Sequence, residues 1–270
     1  MHLFHRLLGS RLKKSETTEQ QPQAFPYNHL KILGIEKMNS YIPPSKSQNF
    51  SYDYLRDLVK AAKSHKYEFM TLKEFREAGC PKERAFIMKH DIDAKPVTLQ
   101  PLLDVERELG IKSTLYFRIT ANDYNFMSYL VLPQAIQAHK EGFEVGLHTN
   151  FLEFAILNDL DPMQVLESEI TLMKQYIDIR SLSTHRDLNY VHNALPWIEQ
   201  NWKKVSKKFK LDYQAYDPMF MNNTIYVNEG YSPHLCWRNK TPFDAISTGE
   251  SVYMLTHNHW WFDKHPFERY

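Results

Sequence analysis

Four apolar, strand-like runs in this chain end in residues that can bind a cation or move protons. AFIMK runs into His90-Asp91-Ile92-Asp93, FEVGL into His148-Thr149-Asn150, SLST into His185-Arg186-Asp187, and VYMLT into His257-Asn258-His259-Trp260-Trp261. In parallel α/β folds the active face lies at the carboxyl ends of the strands, so these ends are where chemistry is expected. The side-chain period of two puts Asp91 and Asp93 on one face of their strand. Two carboxylates in a small space either take up a cation or have their proton affinities driven apart, and both outcomes serve hydrolysis. A single histidine at a strand end is ordinary, whereas three of them facing an Asp pair make a ligand set. Gly146, two residues before His148, allows close backbone approach.

The elements that must position these groups follow from hydrophobic period. Short β-rich runs at 85–91, 113–120, 143–149, 181–185, 211–216, 224–227 and 252–257 alternate with helical stretches, the pattern of parallel strands joined by crossover helices. Met163, Leu166, Ile170, Met173 and Ile177 keep a helical period behind Asp161 as N-cap and Pro162 at the first helical position. Ile198, Trp202, Val205 and Phe209 line one side of a second helix, leaving Lys203, Lys204, Lys207, Lys208 and Lys210 for solvent. Tyr52, Leu55, Val59 and Ala62 mark another apolar helix face, and Thr71 with Glu74 forms a capping-box pattern. Polar stretches at 15–23 and 41–49 separate an N-terminal extension, residues 1–50, from a domain expected over residues 51–270.

In their order and at their strand ends, HDID, GFEVGLHTN, STHRD and YMLTHNHWW resemble the four motifs of the polysaccharide deacetylase family, the NodB-type carbohydrate esterases, and especially its branch with an HDxD first motif. The resemblance spans roughly Tyr52 to Trp261. It implies an α/β fold, a distorted (β/α) barrel of about seven parallel strands, and a hydrolase that removes an N-acetyl group from a sugar or glycan. It further implies a divalent metal, zinc in first place, held by Asp93, His148 and a third ligand. The family's usual second metal histidine falls four residues after the first, where this chain has Leu152. His185 is the expected replacement, ahead of His259 or solvent. Asp91 is then the base, His257 the acid, and Arg186 the partner that holds Asp91 ionised. Tyr124, Trp260 and Trp261, with Asn125, are candidate walls of the carbohydrate site. The other readings are a silent barrel that binds a glycan or partner, and a hydrolase of another non-peptide C–N bond.

Composition narrows the alternatives. Thirty-three basic and thirty-two acidic residues in 270 leave a net charge of +1, so no overall field attracts nucleic acid, and no glycine-rich phosphate cradle occurs among only eight glycines. No run is long and apolar enough for a membrane span. The start, MHLFHRLLGSRLKK, lacks the order of a secretory signal, which together with two widely spaced cysteines, Cys80 and Cys236, leads to an expected cytoplasmic location.

Overall fold

The computed structural model describes residues 45–185, 194–230 and 235–269. Most of the expected N-terminal extension and Arg186 lie outside the described residues. The chain enters through α1 (Tyr52–Ser64), whose N-cap Ser51 accepts a hydrogen bond from the Tyr54 N–H and whose Leu55, Leu58, Val59 and Ala62 face the core. A short strand, β1 (Glu68–Met70), leads to α2 (Leu72–Glu77), opened by the reciprocal Thr71–Glu74 capping box. From there strands and helices alternate: β2 (Ala85–Ile92), α3 (Leu99–Glu108), β3 (Thr114–Arg118), α4 (Leu132–Lys140), β4 (Glu144–Thr149), α5 (Phe151–Leu157), α6 (Pro162–Lys174), β5 (Ser181–Thr184) and α7 (Ala194–Phe209). The final part runs through β6 (Tyr213–Gln214), α8 (Pro218–Met221), β7 (Ile225–Asn228), α9 (Pro242–Ile246) and β8 (Val252–His257). All seven expected strands are present. The Asp161 side chain caps α6 through the Gln164 N–H as the sequence predicts, and the five lysines of α7 and its C-terminal turn are exposed.

The ladders are all parallel, in the order β6-β5-β4-β3-β2-β8-β7. The short β1 pairs with the first half of β2, through Ala85 to Ile87, and β3 pairs with the second half from Lys89 onward. Tyr253 on β8 donates its hydroxyl hydrogen bond across the interior to the Ala215 carbonyl, just past β6, so the sheet curls into a barrel with β6 and β7 as its edges. Strand parity sorts the core into layers. Ala85 and Ile87 of β2 point into the barrel with Tyr116, Tyr213 and Tyr253, where Leu72 and Phe75 of α2 also pack. Phe86 and Met88 point outward against α1 and α9. A second outer layer under α4, α6 and α7 holds Leu115, Phe117, Leu147, Leu166, Ile170 and Ile198.

Gly146 is required by this packing: a Cβ there would run into the Tyr116 ring and stand 3.0 Å from the Ser181 carbonyl oxygen. No helix among the described residues is long and apolar enough to cross a membrane.

Candidate functional site

Each singled-out side chain reaches the carboxyl face of the barrel for a local reason. Asp91 shares the inward face of β2 with Ile87 and Lys89, and Asp93 follows one residue beyond the strand end. The loop that carries Asp93 is clamped by buried Asn258, whose Nδ2 donates to the Ala94 and Lys95 carbonyls at 3.0 Å each and to Thr98 Oγ1 at 2.8 Å. His148 lies one residue before the end of β4. His185 continues the β5 direction, its backbone N–H donating to the Thr149 carbonyl at 2.7 Å. His257 is the last residue of β8.

These groups converge on Asp93. His148 Nε2 is 3.2 Å from Asp93 Oδ1, while His185 Nε2 and His257 Nε2 are 3.3 and 3.0 Å from Oδ2. One ligand atom from each of Asp93, His148 and His185 lies within 4.8 Å of the others, an arrangement that could hold a metal ion. The His148 and His185 rings stand perpendicular, with centroids 5.1 Å apart. His148 Nε2 is also 3.5 Å from Asp91 Oδ2.

The tautomer of His148 is imposed. Its Nδ1 lies 2.9 Å from the Ser183 carbonyl oxygen, which can only accept, so Nδ1 carries a hydrogen and Nε2 is the ring atom turned to the Asp93 cluster, the one a cation would draw on. Asp93 Oδ1 is buried with no donor aligned on it among the described residues, despite the nearby imidazole nitrogen. A carboxylate and two imidazole nitrogens that converge beside a buried, unsatisfied oxygen fit a cation, and the donor set fits zinc.

The two carboxylates are held ionised. Burial works against the charge of Asp93, but His148 and His257 outweigh it and keep its pKa well below the usual carboxylate range. Burial likewise opposes ionisation of Asp91, and His148 together with Lys89 leaves it below the ordinary value. On the other side of the site, Glu229 accepts from the His257 N–H at 3.1 Å and pairs with His257 Nδ1 in a very close contact. Burial disfavours a charged His257, yet Glu229 and Asp93 prevail and hold its pKa well above the usual histidine range.

Glu229 and Asn258 were not singled out in the sequence. Glu229 follows β7 directly, so the strand-end rule that found the histidines also reaches it. His90, by contrast, points away from the site: its Nδ1 meets Thr256 Oγ1 at 2.8 Å and its Nε2 meets buried Glu106 at 2.7 Å, tying α3 to β2 and β8.

His185, the expected third ligand, lies with Asp93 and His148 in a group that could hold a metal ion, and Leu152 packs against the apolar layer. His259 stands beside His257, ring centroids 5.6 Å apart, and is not in that group. Of the proposed walls, Trp260 borders a cavity of about 320 Å³ next to Asp93 and His257, although it is only 5 % exposed and packs against Phe50. Trp261 does not line that cavity. It is a core side chain whose Nε1 donates to Thr256 Oγ1, so an exposed stacking face is not on offer. Tyr124 is pinned, accepting from the Arg118 N–H and donating to the Ile92 carbonyl, and together with Asn125 it lines a separate hollow with Lys95 and Tyr129.

No family model and no curated protein matches the sequence. Among solved structures, a Bordetella bronchiseptica protein provisionally described as a polysaccharide deacetylase involved in O-antigen biosynthesis is similar to this chain. The identity is 13 %, the match covers 73 % of this chain and 81 % of that one, and the TM-score is 0.42.

Proposed function

We propose that the chain is a divalent-metal-dependent hydrolase that removes an N-acetyl group from a sugar or glycan, with Asp93, His148 and His185 as metal ligands and zinc as the ion. The observation that carries the reading is the locked His148 ring, whose Nε2 converges with that of His185 on the Asp93 carboxylate, one oxygen of which is buried without a hydrogen-bond donor among the described residues. One carboxylate and two imidazoles are the three protein ligands of a catalytic zinc centre that keeps a position open. Bound there, the ion would polarise the acyl carbonyl and acidify water.

The chain's own groups supply the proton transfers. Asp91 is ionised and has Oδ1 buried without a hydrogen-bond donor, the condition of a base that waits for the proton of the attacking water. Protonated His257, with Glu229 behind its Nδ1, gives its Nε2 proton to the departing amine nitrogen, and Glu229 keeps the ring oriented and charged until then. The amide bond breaks, the hydroxyl of the water stays on the acyl carbon as acetate, and the amino sugar leaves with the proton of His257. The cavity of about 320 Å³ beside Asp93 and His257 gives the acyl-bearing sugar its place. The choice of sugar over other amides rests on the four-motif resemblance.

The test is acetate release from chitotetraose by chelator-treated protein reloaded with zinc, with Asp93→Ala and His148→Ala measured in parallel. One zinc per chain is expected, and each variant should lose the ion and the turnover together while melting as a folded protein. Zinc retained by His148→Ala would overturn the ligand set. Zinc bound without turnover of chitotetraose or other N-acetyl sugars would overturn the deacetylase reading.

A further inference from the structure

Beneath Asp91 lies a charge that the proton transfers above do not use. Lys89 is two residues earlier on β2, hence on the same inward face, and its side chain is completely buried in the barrel. Its Nζ is 2.9 Å from Asp91 Oδ2 and 3.1 Å from the Tyr216 hydroxyl. It also lies over two aromatic faces, 4.5 Å from the centroid of Tyr216 and 5.3 Å from that of Tyr116. Asp91 is the one carboxylate within ion-pairing distance of Lys89 among the described residues.

Such a pair is a poor way to stabilise a core. Taking an ammonium and a carboxylate out of water is expensive, and well-packed apolar side chains of similar volume commonly stabilise as much or more. The surroundings, Ile87, Tyr116 and Tyr253, would accept one. What the ammonium does that an apolar side chain cannot is choose between the two oxygens of Asp91. It occupies Oδ2 from below and leaves Oδ1 as the acceptor without a donor. Tyr216 and Tyr116 fix the ammonium in turn, and Gly146 lets the Tyr116 ring come close.

Resting on the hydrolase reading above, we infer that Lys89 is the positioning residue of the base: it anchors one oxygen of Asp91 so that the other faces the water, the part that the family resemblance implies for Arg186. Lys89 touches neither substrate nor ion and acts through Asp91 alone.

The experiment compares wild type, Lys89→Met, Asp91→Asn and the double variant, all loaded with zinc, on chitotetraose and on 4-nitrophenyl acetate, whose leaving group needs no proton. Lys89→Met should bind one zinc, melt at or above the wild-type temperature, and lose roughly 10²-fold in kcat with KM changed by less than about threefold, the scale of a displaced general base. The loss should be the same for amide and ester, and it should shrink to less than about threefold in the Asp91→Asn background, as for residues that act through one another.

Turnover by Lys89→Met within about threefold of wild type would overturn the inference. So would loss of zinc, a loss confined to the amide, or a loss that multiplies with that of Asp91→Asn. A wild-type chain that binds zinc and turns over neither probe overturns the hydrolase reading and this inference with it, an outcome distinct from an active wild type with an equally active Lys89→Met.

Discussion

Glu144 and Asp93 stand at opposite ends of one barrel, and they solve the problem of an enclosed carboxylate in opposite ways. Glu144 opens β4 at the bottom, where Ser181 Oγ and the Tyr213 hydroxyl donate to Oε1, and Thr114 Oγ1 and the Lys73 backbone N–H donate to Oε2, the last two at 2.9 Å. Four neutral hydrogens complete it, and in doing so they seat α2 as the plug of the barrel. Asp93 at the top meets three imidazole nitrogens, one of them on a ring locked by its other nitrogen, and no donor among the described residues holds its Oδ1. A carboxylate with its full set of donors is a finished piece of structure. One met by imidazole nitrogens, with an oxygen left unsatisfied, is a candidate site for something positively charged.

The largest expected effect tests that contrast directly. Asp93→Asn should abolish zinc binding, read by metal analysis after dialysis, with the apoprotein still folded but its melting temperature at pH 7 lowered, because the fold favours the charge that is removed. Glu144→Ala should do the reverse. It strands three hydroxyls and a helix N–H, so a loss of about 4 kcal/mol in urea unfolding is expected with zinc stoichiometry intact. If Asp93→Asn keeps its zinc, or Glu144→Ala loses it without unfolding, the two ends are not different in kind.

Next in size is Glu229→Gln. The amide can still accept from the His257 N–H but cannot stabilise an imidazolium, so kcat on chitotetraose should fall roughly 10²-fold while zinc stays bound. The fall should be far smaller on 4-nitrophenyl acetate, where no proton is needed by the leaving group. An equal fall on both would assign Glu229 to the metal end of the site.

Much of this arrangement is legible in the chain before any coordinates. Parallel strands buried on both faces give apolar runs, and a polar residue that ends such a run points at the carboxyl face. That is why Asp93, His148, His185 and His257 could be gathered from four distant motifs. The three-residue β1 could not be read, since EFM is too short to show a period and is only half-buried.

Glu229 escaped because β7 is short and its burial mixed, so its end gives a weak signal. Lys89 escaped for a different reason. The period of two places it beside Asp91, but a lysine on a strand ordinarily faces solvent, and only the curling of the sheet makes that face an interior. Trp261 reads as a sugar platform from its neighbours in sequence, yet its indole N–H is committed to Thr256 within the core.

Glu169 on α6 supplies the third solution to the same problem and the smallest expected effect. It is buried, accepts from Thr149 Oγ1 at 2.5 Å and from Thr120 Oγ1 at 3.2 Å, and has neither the four donors of Glu144 nor the imidazoles around Asp93. Burial pushes its pKa up, and the hydrogen bonds from the two threonines and the charge of Arg118 offset this only in part, leaving it at about 7 against an ordinary 4.5. The folded chain therefore holds this proton more tightly than the unfolded chain. The resulting stability is fully present below pH 4.5 and is lost as pH rises through about 7.

The loss attributable to this group between about pH 5 and pH 7 should be about 2 kcal/mol, because a proton held by the fold alone weakens folding by about 1.4 kcal/mol for every tenfold fall in proton activity. Glu169→Gln keeps an acceptor oxygen for one threonine, can donate its amide to the hydroxyl oxygen of the other, and has no proton to lose, so its urea-unfolding free energy should lack that fall. Equal pH slopes for wild type and variant would mean that Glu169 is already ionised in the fold, and that two hydroxyls and a nearby guanidinium suffice where Glu144 is given four donors.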